Sequence, residues 1–328
     1  MTTLSAPRPR RARSGLRALV ALAGAAALTL GAALPASASS RYVDSIRLPN
    51  DAVGGDLGFQ PEGIDVRGDT AYAGSRLDGT IVKADLRSGR VKVLVRADGE
   101  PALGVEATER LLVVAGGTSG ELRVYDRWSG RTIRIVDLKK ARFVNDVAVV
   151  GGVAYFTDSN RPVLYALPLD GGTVRTIRLG GEYTFNPTAG AFNNNGVVAL
   201  SRRTLLVAQT QDADGVGSAL WKVDVKTGYA ERVRVKGGDV TNADGLVLKG
   251  RTLWVVQNQV NSIAQLRLGR DAERARIERV ITDARFDVPT TAALGPKGAL
   301  YTVNARFGVT APTDATRYDI LRVPLGRY

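Results

Sequence analysis

One pattern occurs twice in close succession: FNNNGVVALSRRTLLVAQT from Phe192 and NADGLVLKGRTLWVVQN from Asn242. In each copy a polar cluster precedes an apolar run, a polar turn and a second apolar run that closes on glutamine, Gln209 or Gln257. That alternation reads as two strands joined by a hairpin. The module recurs as PEGIDVRGDTAYAGS from Pro61 and VNDVAVVGGVAYFTDS from Val144, and more weakly as LGVEATERLLVVAGG from Leu103 and TTAALGPKGALYTVN from Thr290. The equivalent polar positions, Glu62, Asn145, Asn195, Asp244 and the Thr290 region, lie about 40 to 50 residues apart, or twice that across a weak copy, which is the period of a propeller blade. Six copies predict an all-β chain: a six-bladed β-propeller with four-stranded antiparallel blades.

The first blade shows the expected anatomy, with strands over Ile64 to Val66, Ala71 to Ala73, Thr80 to Asp85 and Val91 to Val95 and polar turns between them. A third-strand turn repeats as well, in ADLRSG, YDRWSG, LPLDGG, VDVKTG, LRLGR and VPLGR, whose glycines supply positive φ for a hairpin. The last module stops after its third strand, and an unassigned alternating segment, Arg41 to Pro49, precedes the first. Pairing the two closes the ring, so the N-terminal strand is expected to complete the sixth blade and remove its open edge.

Ahead of that segment, Arg8, Arg10, Arg11, Arg13 and Arg17 form a basic region, Ala18 to Leu34 is apolar, and Ala36-Ser37-Ala38 is a small-residue cleavage site. Residues 1–38 therefore read as a secretory signal peptide and 39–328 as a single propeller domain, secreted, with no membrane association after cleavage. Arg10-Arg11 leaves Sec and twin-arginine export open. The leader carries five arginines and no acid, so the net charge of +13 falls to about +8 in the remainder. Basic residues there are scattered through turns, which argues for a solvated surface over a nucleic-acid footprint. The expectation is a monomer acting on a small molecule.

The chain has no cysteine and no histidine. Disulfides are excluded, as are Ser-His-Asp and Cys-His nucleophile pairs, a histidine base, and nitrogen- or sulfur-ligated zinc, copper or redox iron. Any metal must be held by oxygen. In a propeller, residues at one repeat position converge on the axis, and here that position carries Glu62, Asn145, Asn195 and Asp244. Four inward oxygen donors, two of them anionic, are costly to desolvate without a partner, and a divalent cation is the natural one. By hardness Ca²⁺ suits the set first, with Mg²⁺ or Mn²⁺ as alternatives. The competing reading is that Asn or Asp before Gly forms only a blade-entry turn. QDADG at Gln211 to Gly215 resembles the start of a calcium loop, but its twelfth position is Val223, so a hairpin tip is expected.

These motifs in this order, PEG at Pro61, ND at Asn145 with YFTDS from Tyr155, NG at Asn195 and DG at Asp244, resemble the SMP-30/gluconolactonase/LRE-like six-bladed propellers. The resemblance implies a metal-dependent hydrolase that opens a lactone or related ester with a metal-activated water. It implies Glu62, Asn195 and Asp244 as metal ligands, Asn145 as a further ligand or substrate contact, and Asp244 as the base. Where sugar lactonases of that family often carry an arginine two residues before the ND asparagine, this chain has Phe143, with Arg142 one place further. Arg142, Gln257 and Asn304 join Asn145 as candidate substrate contacts, beside Gln209, Asn258 and Arg306 at strand ends. Two alternatives stand against the hydrolase: a non-catalytic binding propeller with a structural cation, and a strictosidine-synthase-like lyase relative.

Overall fold

The computed structural model describes residues 41–50, 58–213, 217–309 and 316–326. The leader and its cleavage site lie outside them. Arg41–Tyr328 makes one compact unit, and among the described residues no helix is long and apolar enough to cross a membrane.

Six sheets follow one another along the chain, four with four strands and two with five. Their innermost strands are Pro61–Arg67, Val105–Ala107, Val144–Val150, Asn194–Ala199, Ala243–Lys249 and Pro289–Leu294, which define blades 1 to 6. The fold is the six-bladed propeller that the repeat predicts. The extra strands are short parallel additions, Gly180–Gly181 beside Tyr229 and Ala230, and Arg234–Lys236 beside Arg274 to Arg276. Each lies in the connection leading into the blade it edges.

Closure occurs as expected and is shorter than the alternating segment: Ser45–Arg47 pairs antiparallel with Leu321, Ile320 and Asp319 at the outside of blade 6. Of the turn glycines, Gly89, Gly130, Gly228 and Gly326 have positive φ. In LPLDGG the role passes to Gly171, and after LRLGR to Ala272 at φ 57° instead of Gly269.

Successive strand residues point to opposite faces, and in a propeller both faces meet a neighbouring blade, which is why the strands read as nearly continuous apolar runs. Ala71 and Ala73 pack toward blade 6, whereas Tyr72 packs toward blade 2. Six apolar clusters result, one at each blade–blade junction and none on the axis. Near the axis, polar groups such as Glu62, Asn145, Asn195 and Asp244 share the space with inner-strand apolar side chains.

Candidate metal and ligand site

Five of the six inner strands carry a register break at the same place, between Pro61 and Ile64, Val144 and Val147, Asn194 and Val197, Ala243 and Leu246, and Pro289 and Ala292. Each break spans the repeat position singled out by the sequence. A bulge of this kind re-aims a side chain out of the regular alternation, and here it turns Glu62, Asn145, Asn195 and Asp244 into one cavity of about 600 Å³. All four are buried. The turn reading of the NG and DG pairs is corrected by this geometry: Gly196 and Gly245 lie within strands and lack positive φ. Close approach requires them instead, since a Cβ on Gly196 would sit 2.2 Å from the Asp244 carbonyl oxygen, and one on Gly63 would sit 2.2 Å from that of Leu103. The glycines let adjacent inner strands crowd around the axis.

The approach to the bulge is also unusual. Two residues before the axial position, Gln60, Asn242 and Val288 hold φ of 43°, 51° and 55°. For Val288 this is a β-branched residue in the left-handed region, fixed by its N–H donating to Asn261 Oδ1 at 2.7 Å.

The donors are oriented by a second repeat position at the end of each blade's second strand. Asn145 Nδ2 donates to Ser159 Oγ at 2.8 Å, and Ser159 passes a bond to the Asn194 carbonyl at 2.7 Å. Asn195 Nδ2 donates to Thr210 Oγ1 at 3.0 Å, and Thr210 donates to the Ala243 carbonyl at 2.7 Å. Asn258 Nδ2 donates to Asp244 Oδ2 at 2.6 Å. The same position in blade 1 is Arg76, which lines the cavity. With its amide N–H committed to Ser159, Asn145 turns Oδ1 to the axis, whereas the Asn195 amide bears on both Thr210 and the Asp244 carboxylate. Such supporting contacts fix ligand orientation in metal sites.

Three acceptors are left over: Glu62 Oε2, Asn145 Oδ1 and Asp244 Oδ1 are buried without a hydrogen-bond partner. Burial, with a smaller push from the Asp146 charge, takes the Asp244 carboxyl up to about 8, against the pull of the Asn258 and Asn195 amides. Burial, then the charges of Asp244 and Asp146, raise Glu62 well above the usual carboxylate range, and Arg76 only partly offsets them. Orphaned oxygen donors around two carboxylates that resist ionisation are what a hard divalent cation would relieve. The set fits such an ion as two carboxylates and two amides. No three of His, Cys, Asp and Glu form a metal group among the described residues.

The other sequence candidates fall elsewhere. Arg142 is exposed and does not line the cavity, and its backbone N–H donates to Asp158 Oδ2. Gln257 and Asn304 turn aside to the Thr241 and Arg285 carbonyls. Gln209 bonds the Thr184 carbonyl and accepts from Trp221 Nε1, and Arg306 pairs with Asp287 at 3.0 Å. Asn258 does line the cavity. Asp212, in the calcium-loop-like segment, pairs with Arg232 at 3.0 Å, and residues 214–216 lie outside the described residues. The sixth-blade Thr290 bonds the Glu62 carbonyl at 2.7 Å, while Leu103 takes the axial register of blade 2. Sequence reasoning missed Arg76, Thr210, Phe192, Gln259 and Phe307; of these, Arg76 and Thr210 share the repeat register of Ser159 and Asn258 and were legible there.

No protein-family model matches the chain, and no curated protein matches it. Solved structures do resemble it in fold. A gluconolactonase from Xanthomonas campestris is 17% identical with a TM-score of 0.56, covering 82% of this chain and 88% of its own. A virginiamycin B lyase from Staphylococcus aureus, in a form inactivated by replacing a histidine with alanine, is 9% identical with a TM-score of 0.54 over 81% of this chain and 82% of its own. The WD40 propeller domain of Doa1 is 10% identical with a TM-score of 0.55 over 87% and 97%. At these identities the likeness concerns architecture.

Proposed function

We propose that the chain is an exported, monomeric hydrolase of the SMP-30/gluconolactonase type that opens a lactone or related ester at the axial cavity. The observation that carries this reading is the set of three unpartnered buried acceptors, Glu62 Oε2, Asn145 Oδ1 and Asp244 Oδ1, on a cavity with room for a small molecule. Glu62, Asn145, Asn195 and Asp244 would hold one divalent cation, Ca²⁺ first among the candidates. When bound, that ion supplies positive charge to offset the two carboxylates and to polarise an ester carbonyl.

The chain's own groups account for the remaining chemistry. Asn258 holds Asp244 Oδ2 at 2.6 Å, which leaves Oδ1 toward the cavity to accept the proton of an attacking water. Water oxygen bonds the acyl carbon, the ring acyl–oxygen bond breaks, and the proton passes from Oδ1 to the departing alkoxide, giving the hydroxy acid. Lyase chemistry of the kind the Staphylococcus aureus enzyme performs lacks its means here, because that enzyme is inactive without one histidine and this chain has none. Ring closure by Ser45–Arg47 supports the monomer, since this chain itself supplies the outer strand of blade 6.

Elemental analysis of the purified protein, followed by a lactone and ester panel with and without chelator, tests the reading. One divalent cation per chain and activity that is lost on chelation and restored by the ion are expected; a metal-free protein indifferent to chelator overturns it. For export, mass spectrometry of secreted protein should find Ser39 first, and a membrane-retained Met1 would count against it.

A further inference from the structure

We infer that the substrate carries an apolar alkyl or aryl tail, seated against a wall of Leu103, Phe143 and Phe192 while its carbonyl lies over the axial oxygen donors. This rests on the hydrolase reading and assigns its substrate class. The cavity is divided by chemistry. Pro101, Leu103, Phe143 and Phe192 line the side of blades 2 and 3 and the entry to blade 4, whereas Thr210, Asn242, Asn258 and Gln259 line the side of blades 4 and 5. Three of the chain's seven phenylalanines, Phe143, Phe192 and Phe307, border this one cavity.

The aromatic wall is organised and exposed together. Phe143 and Phe192 meet edge to face with ring centroids 5.3 Å apart, yet Phe192 is 40% exposed, whereas the Phe307 ring lies under the Arg76 guanidinium at 4.9 Å. Apolar side chains left in water at the rim of a cavity favour an apolar ligand that covers them. Leu103 occupies the axial position that four other blades give to an oxygen donor, so the apolar wall reaches the floor. A polyhydroxylated ring would lose water from its hydroxyls on this side and find the Thr118 hydroxyl as a partner beside the axial donors, too few for its several hydroxyls.

The experiment measures kcat/KM of the cation-loaded full chain on γ-lactones with alkyl chains from none to about eight carbons, beside gluconolactone. Each added methylene is expected to raise kcat/KM about fourfold, the factor equivalent to about 0.8 kcal/mol of burial, until the wall is covered. The Phe143→Ala, Phe192→Ala double variant should bring that to under about twofold. A flat series in the parent, or a preference for gluconolactone, overturns the assignment without any variant. Calorimetry with the matching alkyl γ-lactams, which resist hydrolysis, separates the two readings. No lactone turnover with lactam affinity rising along the chain removes the hydrolase and keeps the apolar tail; turnover with chain-independent affinity does the reverse.

Discussion

Two acidic clusters lie on the axis, and they differ in what their oxygens touch. At the wide end, Glu62 and Asp244 each leave one oxygen without a partner. Farther along the same inner strands, a smaller cavity of about 330 Å³ is lined by Asp65, Glu106 and Asp146. There Asp65 accepts from the Val66 and Ala107 N–H groups at 2.7 Å each, and Asp146 from the Val197 N–H at 3.0 Å. Burial raises Asp65 and Asp146 to about 6 despite those bonds. The bonds from Ala107 and Val197 cross from blade 1 to blade 2 and from blade 3 to blade 4. The narrow end therefore uses Asp65 and Asp146 to join blades, and the wide end keeps acceptors for a ligand. Counting acids on the axis would rank the two alike; accounting for their partners separates them.

The largest effect expected from this contrast is on turnover. Asp244→Asn, saturated with cation, should lose about 10² to 10⁴ in rate, whereas Glu62→Gln should weaken cation binding with a smaller change in turnover. Equal lactone hydrolysis by Asp244→Asn and the parent would make the wide end a binding or structural site.

A second difference is in pH. Asp244 has its folded value near 8 against an ordinary 3.8, so the folded, cation-free chain binds the proton more tightly than the unfolded one. That stability is full below about pH 4 and is lost as pH rises toward 8. Melting temperatures with Ca²⁺ and with chelator should diverge progressively from pH 5 to pH 9. A constant gap would show that the wide-end carboxylates do not sense the ion.

The smallest effect concerns the narrow end. Asp65→Ala strands the Ala107 N–H and should destabilise by about 1 to 3 kcal/mol while leaving cation affinity as in the parent. A marked fall in affinity on calorimetric titration would erase the distinction between the two ends.

The blades and four oxygen donors were legible in the sequence because a propeller repeats its register, and equal positions meet equal surroundings. What failed was finer than the repeat. Gln257 and Asn258 are neighbours, but only Asn258 enters the cavity, since adjacent residues at a strand end face different ways. Gln209 and Asn304 follow Gln257 in turning to loop carbonyls. Arg142 sits three residues from Asn145 and faces out, because Asp158 binds the backbone N–H groups of Arg142 and Phe143 and fixes the loop. The YFTDS motif thereby gains a physical role through Asp158 and Ser159. Phe192, Gln259 and Phe307 come from connections of unequal length, where no register points to them. The bulges leave no compositional mark, so a strand-start residue and a turn residue look alike until pairing is seen.

Closure of the ring has a consequence in time. Arg322 bonds Asp44 at 3.2 Å across 278 positions of sequence, so the seam joins an early-made segment to one made much later in synthesis. Pairing at such separation is slow to form relative to local hairpins, and five blades can assemble while Ser45–Arg47 is still unpaired. Until residues 319–323 arrive, Ser45–Arg47 has no edge to pair with, and the nascent chain carries an unpaired strand and an uncovered blade edge that a chaperone or a second chain could engage.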